Sequence, residues 1–476
     1  MRIVDCRARR LGKIGVAAAL SLASQLPAAP AVAQDRGATV LDQARAAARS
    51  DRNGEAARLF AAYIAAHPGS RRAVLREYAD QLLYSNRPDQ AASLLREVLR
   101  WELSSGERLQ AQKSYALALL WSGQHRAAIS AYDSLLAQNP GDEDSARNRV
   151  RAYQWLGRPD TAVRMLEQSP SVQDRNWGSE ILADIGRAAR PLTEAGFTYF
   201  DQADGLNLSR WRVGQKLFPM SGAASLQATF ERGRYDDGQE GRVTIDSPAL
   251  SASWRASDWL HVSGQAAVER QRGLGVSRSL FTYEASAALL PADNLRFDFV
   301  TARRSLDNLT SLRLGVTTRH YFASIDFWPA SLLKFTVRGE LAHFSDGNER
   351  KWVQFEAERR LSRSPNLFVG VKATAFRFDE QLDHGYFNPK SFRSVQATAR
   401  GWSKIGPQTW LDVSLAAGPE DSRPGGTKLA YWARGKLSQG LGRGFELGIV
   451  AERLSAGQTD TGFARNSLSG ALLMRW

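Results

Sequence analysis

A single cysteine, Cys6, occurs among the 476 residues. It stands in MRIVDCRARRLGKIGVAAALSLASQLPAAPAVAQ, where a basic start (Arg2, Arg7, Arg9, Arg10, Lys13) leads into a small-residue apolar middle and then Ala31-Val32-Ala33. That layout predicts a secretory signal peptide over residues 1–33, removed from the mature chain. Cys6 precedes the apolar middle, so it is misplaced for a lipid anchor. Without it the mature protein has no disulfide and no thiolate nucleophile, although it is addressed to an oxidising compartment. Long hydrophobic runs are missing too. Beyond the signal no stretch of about 18 apolar residues occurs, which excludes a transmembrane helix. A membrane-spanning form must then be a closed barrel, the other structure that satisfies its backbone in lipid. Catalytic signatures are equally scarce. No serine stands in a G-x-S-x-G context, neither HExxH nor a cysteine-based metal cluster is present, and His261, His320, His343 and His384 are scattered. We therefore expect no enzyme activity, no catalytic residues, no metal and no cofactor. Negative charge is in short supply: the formal net charge is +14, most of it after residue 189. For an exported chain this points away from nucleic acid and towards an anionic glycan or lipopolysaccharide head group.

What is present divides in two. Over residues 34–189 a period of about 34 residues recurs, visible in RNGEAARLFAAYIAAHP (52–68), RPDQAASLLREVL (87–99), QHRAAISAYDSLLAQNP (124–140) and RPDTAVRMLEQ (158–168). Ala56, Ala91, Ala128 and Ala162 hold one position of the repeat, and Phe60, Leu95, Tyr132 and Leu166 follow four residues later. Ala44, Ala79 and Ala116 are the small residues of the preceding helix, and Pro68 and Pro140 close two units. A small residue lets two antiparallel helices approach and a large one on the next turn fills the gap. These four units resemble the tetratricopeptide repeat. They depart from it where Leu103 stands in place of a closing proline and where the connection between the second and third units is longer. Such arrays bind peptides or extended ligands on a concave face. Trp101, Trp121 and Trp155 either line that face or pack between helices.

From residue 190 to 476 the texture changes to short alternating segments. In LLKFTVRGEL, Leu333, Phe335, Val337, Gly339 and Leu341 alternate with Lys334, Thr336, Arg338 and Glu340. Period two means strands with two unlike faces, and sixteen such segments can be counted. Connections after even-numbered segments are short, as in PADN (291–294) and PAS (329–331). Most of those after odd-numbered segments are longer, as in RSLDNLTSLRLGVT (304–317) and DEQLDHGYFNP (379–389). Both features predict an antiparallel outer-membrane β-barrel. A β-sandwich core would have to bury the charged parity, at high cost; a water-filled lumen accommodates it. The expected lumen residues are Arg296, Asp298, Lys334, Arg338, Glu340, Glu356, Glu358, Lys372, Trp432, Arg434 and Lys436. Trp432 and Phe368 either stack on pyranose rings or fill space. At the end, NSLSGALLMRW places Trp476, Met474, Leu472, Gly470 and Leu468 on one face. It resembles the terminal signal read by the barrel-insertion machinery, with Trp476 as the final aromatic.

Signal peptide, helical repeats and barrel together resemble the bacterial exopolysaccharide exporters, a family that includes the poly-N-acetylglucosamine porin, the cellulose-secretion outer-membrane subunit and the smaller YaiO-type barrels. HYFASIDFWPASLLKFTVRGELAHFSDGNERKW (320–352) is similar to their strand–turn–strand and FSDGN-R loop, through Phe344, Ser345, Asp346, Gly347, Asn348 and Arg350. The same residues also read as a tight turn. The resemblance implies a Gram-negative outer-membrane channel that exports a growing glycan during biofilm formation. In it, a periplasmic repeat arm docks a protein partner or the polymer, and the Ser345–Asn348 loop is extracellular. Four units make a short arm for this family, which favours a soluble periplasmic partner. The rival classes are a surface receptor or adhesin, and a barrel hydrolase.

Overall fold

The computed structural model describes residues 40–168, 176–238, 241–330, 332–363, 365–442, 444–455 and 464–476. The expected signal peptide lies outside them.

Nine helices of the described residues precede the first strand and one more follows within a loop. They are α1 Val40–Arg49, α2 Asn53–Ala66, α3 Arg71–Tyr84, α4 Pro88–Val98, α5 Ser105–Trp121, α6 His125–Gln138, α7 Glu143–Trp155, α8 Pro159–Glu167 and α9 Asn176–Ala188. Helices α1/α2, α3/α4, α5/α6 and α7/α8 are the four repeat pairs. Ala56, Ala91, Ala128 and Ala162 are each completely buried, with Phe60, Leu95, Tyr132 and Leu166 buried beside them. Cores form between units as well as within them: Ala57 of the first, Leu95 of the second and Ala118 of the third share one cluster. Val150 and Leu166 of the fourth pack on Ile181 and Ile185 of α9, which caps the array. The longer connection ahead of α5 ends in a capping box. Ser104 accepts from the Glu107 amide, and the Glu107 carboxylate accepts in return from the Ser104 amide, satisfying two donors that a bare helix end leaves open.

The strands are β1 Leu192–Gln202, β2 Asn207–Leu217, β3 Ala224–Asp236, β4 Arg242–Arg255, β5 Leu260–Gly273, β6 Val276–Ala292, β7 Leu295–Ser305 and β8 Thr317–Ala330, then β9 Leu333–Phe344, β10 Glu349–Arg363, β11 Asn366–Phe378, β12 Ser391–Gly406, β13 Thr409–Arg423, β14 Gly426–Gly442, β15 Phe445–Leu454 and β16 Arg465–Arg475. Each pairs antiparallel with its neighbours in sequence, and β1 pairs with β16, so sixteen strands close a barrel without an edge. The alternation seen in the sequence becomes two walls. Val213, Phe230, Leu250, Phe281, Val337, Val371, Leu415 and Leu472 stand exposed on the outer one. Trp254, Phe327, Phe445 and Trp476 ring one rim, and Tyr199 and Tyr321 the other, the girdles expected where lipid meets water. No described helix is long and apolar enough to cross a membrane.

The arm sits against the rim where even-numbered strands end. Helices α5 and α7 stop at Gly123 and Gly157, both with positive φ, a conformation that glycine adopts without penalty. The turns so formed touch the barrel. Arg126 donates from its backbone N–H to Asp293 at 3.0 Å and from its guanidinium to the Asp258 carbonyl. Arg158 pairs with Asp258 at 2.8 Å, and the Arg255 side chain lies against Gly157. His125 is half-buried in this basic junction, and burial, with Arg255 nearby, pushes its pKa down although Asp293 pulls the other way. A depressed histidine favours the neutral form, so the docked state binds fewer protons than the undocked one as pH falls through about 6.5. Acidification from pH 7.5 to 5 is therefore expected to speed hydrogen exchange at residues 122–126 and 255–259. His125→Gln should leave exchange there insensitive to that pH step.

Candidate functional site

Strand register decides what faces the lumen. Arg296, Asp298, Lys334, Arg338, Glu340, Glu356, Glu358, Lys372, Trp432, Arg434 and Lys436 share one wall, because cross-strand pairs such as Lys334↔Glu358, Glu356↔Lys372 and Arg296↔Asp326 link them. Most of this wall is neutralised in place. Arg296 pairs with Asp298, Lys334 with Asp326 at 3.1 Å, Arg338 with Glu356 at 3.2 Å, and Glu340 with Arg350 at 2.6 Å and His320 at 3.2 Å. Glu358 is almost fully buried and takes both guanidinium arms of Arg400, at 2.5 and 3.0 Å. Three cations stand apart. Lys372 faces Glu356, already held by Arg338, and lies 5.9 Å from the Trp432 ring. Arg434 faces Glu452, which instead accepts from Trp432 Nε1 at 2.7 Å. Lys436 faces Asp412 in register without forming an ion pair among the described residues.

At the arm-side mouth a cavity of about 630 Å³ lies between the α5–α6 turn (Ser122, Gly123, Gln124) and the wall residues Trp328, Lys334, Arg360, Phe368, Arg400 and Trp402. Phe368 is not free to stack on a sugar: its ring is stacked on Trp402 at 5.2 Å and flanked by Arg360 and Arg400 at 4.7 and 4.3 Å. Trp328 and Trp402 are the half-exposed aromatics of this mouth, each with a neighbour over its ring: Lys334 lies 5.0 Å from Trp328, and Phe368 and Arg400 lie 5.2 and 5.6 Å from Trp402. Both share the lumen parity, which was the signal that would have found them. A second cavity of about 330 Å³ continues inward past Glu358 and Arg400 to Lys372 and Trp432.

The far mouth is covered by loops. The β7–β8 connection contains a short helix, α10 Leu309–Leu314, capped by Asn308, whose side chain accepts from the Ser311 amide, and ended by Gly315 in the left-handed conformation. It reaches to the β1–β4 wall, where Leu309 and Leu312 pack with Phe200, Leu208, Tyr235, Val243 and Ile245. Asp307 fixes the contact, accepting from the Tyr235 hydroxyl at 2.6 Å and from Arg210 at 3.0 Å. Enclosure pushes the Asp307 carboxyl up, but Arg210 and the Tyr235 hydroxyl outweigh it and hold it below the usual carboxylate range.

Ser345, Asp346, Gly347 and Asn348 form the tight β9–β10 turn, and they are also an anchor. Asp346 Oδ2 accepts from Tyr386 at 2.9 Å and meets His384 Nδ1 at 2.8 Å. Buried Asn348 donates to the Glu380 carbonyl and to Tyr386, and accepts from the Glu380 amide at 3.0 Å. The Ser345 hydroxyl accepts from the Thr317 amide. These bonds tie the β11–β12 loop, and with it the β7–β8 loop through Ser311 and the His384 carbonyl. Asn348→Ala orphans several buried partners at once and should cost about 2–3 kcal/mol of local stability, read as accelerated proteolysis within residues 379–390 while the barrel core stays protected.

The tetratricopeptide repeat model matches residues 119–177, from the end of α5 through α6, α7 and α8 to the start of α9. No curated protein matches the chain. Among solved structures, a bacterial polysaccharide outer membrane secretin is similar at 16% identity and TM-score 0.49, over 60% of this chain and 99% of that one. OccK3 (OpdO) of Pseudomonas aeruginosa is similar at 10% identity and TM-score 0.36, over 62% and 97%. YrrB, a tetratricopeptide protein with an unusual peptide-binding site, is similar at 17% identity and TM-score 0.27, over 30% and 71%. The protein is an outer-membrane-type barrel of sixteen strands preceded by a tetratricopeptide region.

Proposed function

We propose that this protein is an outer-membrane channel that exports an exopolysaccharide, with the repeat arm in the periplasm receiving the polymer or a protein partner and no catalytic role of its own. The observation that carries this reading is the run of adjoining cavities from the arm junction to Trp432. It is walled by alternating ion pairs and aromatic rings, so sugar hydroxyls meet donors and acceptors and ring faces meet apolar surface. Sixteen strands leave room for an aqueous channel. The arm contacts the rim with the short turns, which in such barrels is the periplasmic one; the Ser345–Asn348 turn then lies outside with the covering loops. The sequence resemblance to exopolysaccharide exporters agrees with this assignment.

Planar-bilayer recording on the refolded full-length protein tests it. Conductance that added glycan oligomers block from the arm side is the expected result. A barrel that stays closed even when the latch formed by Asp307 with Arg210 and Tyr235 is removed by Asp307→Ala overturns it. Hydrolase activity in that closed barrel would favour the enzyme class, and an inert one the surface receptor.

A further inference from the structure

Three exposed aromatics hold the same place in successive repeats. Tyr84 is the last residue of α3, Trp121 of α5 and Trp155 of α7, each two residues ahead of the left-handed residue that turns the chain, Asn86, Gly123 and Gly157. Their relative exposures are 55%, 41% and 49%, whereas the interhelical core is made by other residues of the same helices. Sequence alone left open whether Trp121 and Trp155 pack between helices or line a surface; they line a surface. Trp101 differs, being half-buried with Arg72 over its ring at 5.5 Å.

The row is built from two ring pairs. Tyr84 meets Trp121 edge-on, with centroids 5.8 Å apart, and Trp155 meets His125 at 6.1 Å. It also ends at the barrel. The residues that follow Trp121 line the junction cavity with Trp328 and Trp402, and Arg158, three residues after Trp155, is pinned to Asp258.

We infer that Tyr84, Trp121 and Trp155 form a sugar-stacking track that hands a glycan chain to the Trp328–Trp402 mouth. This rests on the channel reading above and names the part of the arm that meets the polymer. Aromatic faces attract the apolar C–H faces of pyranose rings and leave the hydroxyls to water, so contact is kept while the chain slides. A row repeated once per structural unit suits a ligand that is itself periodic. A peptide of mixed sequence gains nothing from the repetition, and its backbone amides need polar partners that ring faces do not supply. The place of the row argues for a chain in transit, since the residues that follow Trp121 line the cavity at the barrel mouth.

The test uses the full-length protein in detergent micelles, with cellohexaose and chitohexaose as probes and a mixed-sequence decapeptide as comparison, read by calorimetry and tryptophan fluorescence. Trp121→Ala with Trp155→Ala should weaken oligosaccharide binding about tenfold, the worth of two ring contacts. Trp121→Phe with Trp155→Phe should restore most of it, which separates loss of a ring from loss of fold. Oligosaccharide affinity unchanged by the double alanine variant, or the decapeptide as the only ligand bound, overturns the track. Conductance through the unlatched channel is scored separately. If it persists while the track fails, the channel reading stands; if it is absent while the rings still bind sugar, the channel reading falls and the track remains.

Discussion

Asp307→Ala should raise conductance through the barrel. The β7–β8 loop folds into the far mouth, and its hold on the β1–β4 wall has two parts: the Leu309 and Leu312 contacts and the Asp307 bonds to Arg210 and Tyr235. The apolar part is comparable, two buried leucines worth about 1.5–3 kcal/mol each. The charged part orients it, since a charge-assisted bond contributes roughly 1.5–3 kcal/mol. In the variant Arg210 keeps Glu231 at 3.0 Å, so no lone cation is left to unfold the wall. Loss of the latch alone is therefore expected to raise open probability at least tenfold, the consequence of about 1.4 kcal/mol. Single-channel recording and sensitivity of cells to bulky antibiotics both read it. Because the Asp307 carboxyl lies below its ordinary range, the latch contributes in full above an unfolded-state value near 3.9 and is lost only as pH falls through the lowered one. The wild-type loop should thus stay latched at pH 5, where His125 already loosens the arm. Equal conductance for variant and wild type would mean that the loop does not obstruct the path.

The two ends of the pore were not equally legible. Period two, the connection lengths and the thirty-four-residue repeat are local signals, and they specified sixteen strands and four helix pairs because backbone pairing and interhelical packing write themselves into neighbouring residues. The parity rule likewise put Arg296, Lys334, Arg338 and Lys436 on one wall. It could not say which of them is neutralised, since Arg400, Asp326 and Glu452 reach their partners across strands whose register the sequence does not print. Phe368 illustrates the limit: its parity was inward, yet Trp402 and two arginines cover the ring. The outer latch was further out of reach. Arg210 and Asp307 are 97 residues apart, and nothing near either announces the other. A weaker trace did exist, for Asn308 three residues before Ser311, Leu309 and Leu312 three apart, and Gly315 behind them spell a capped helical turn inside what otherwise reads as a polar loop. The Ser345–Asn348 motif was visible as a turn, but its second role depends on Tyr386 and His384 arriving from another loop.

Once the latch is open, the lumen's unpaired cations should decide which ions pass. Arg434 and Lys436 line a cavity of about 390 Å³ with Arg210, Arg212 and Glu194. Arg212 is balanced there by Glu194 at 3.1 Å, whereas Glu452, the register partner of Arg434, is spent on the Trp432 indole. A unit charge about 4 Å from a passing ion is worth about 1 kcal/mol even in bulk-like water, roughly a fivefold bias in partition. In the Asp307→Ala background, Arg434→Gln with Lys436→Gln should therefore lower the anion-to-cation permeability ratio severalfold, read as a shift of reversal potential in a potassium chloride gradient. The shift should shrink near 1 M salt, where the screening length falls to about 3 Å. Replacing Arg338 together with Arg434 should move it in the same direction, because Glu356, freed from Arg338 at 3.2 Å, is left to its register partner Lys372, and a cation that stood apart is neutralised. A barrel made of paired charges alone would show neither shift, so an unchanged reversal potential in both variants would place these residues off the conducting route.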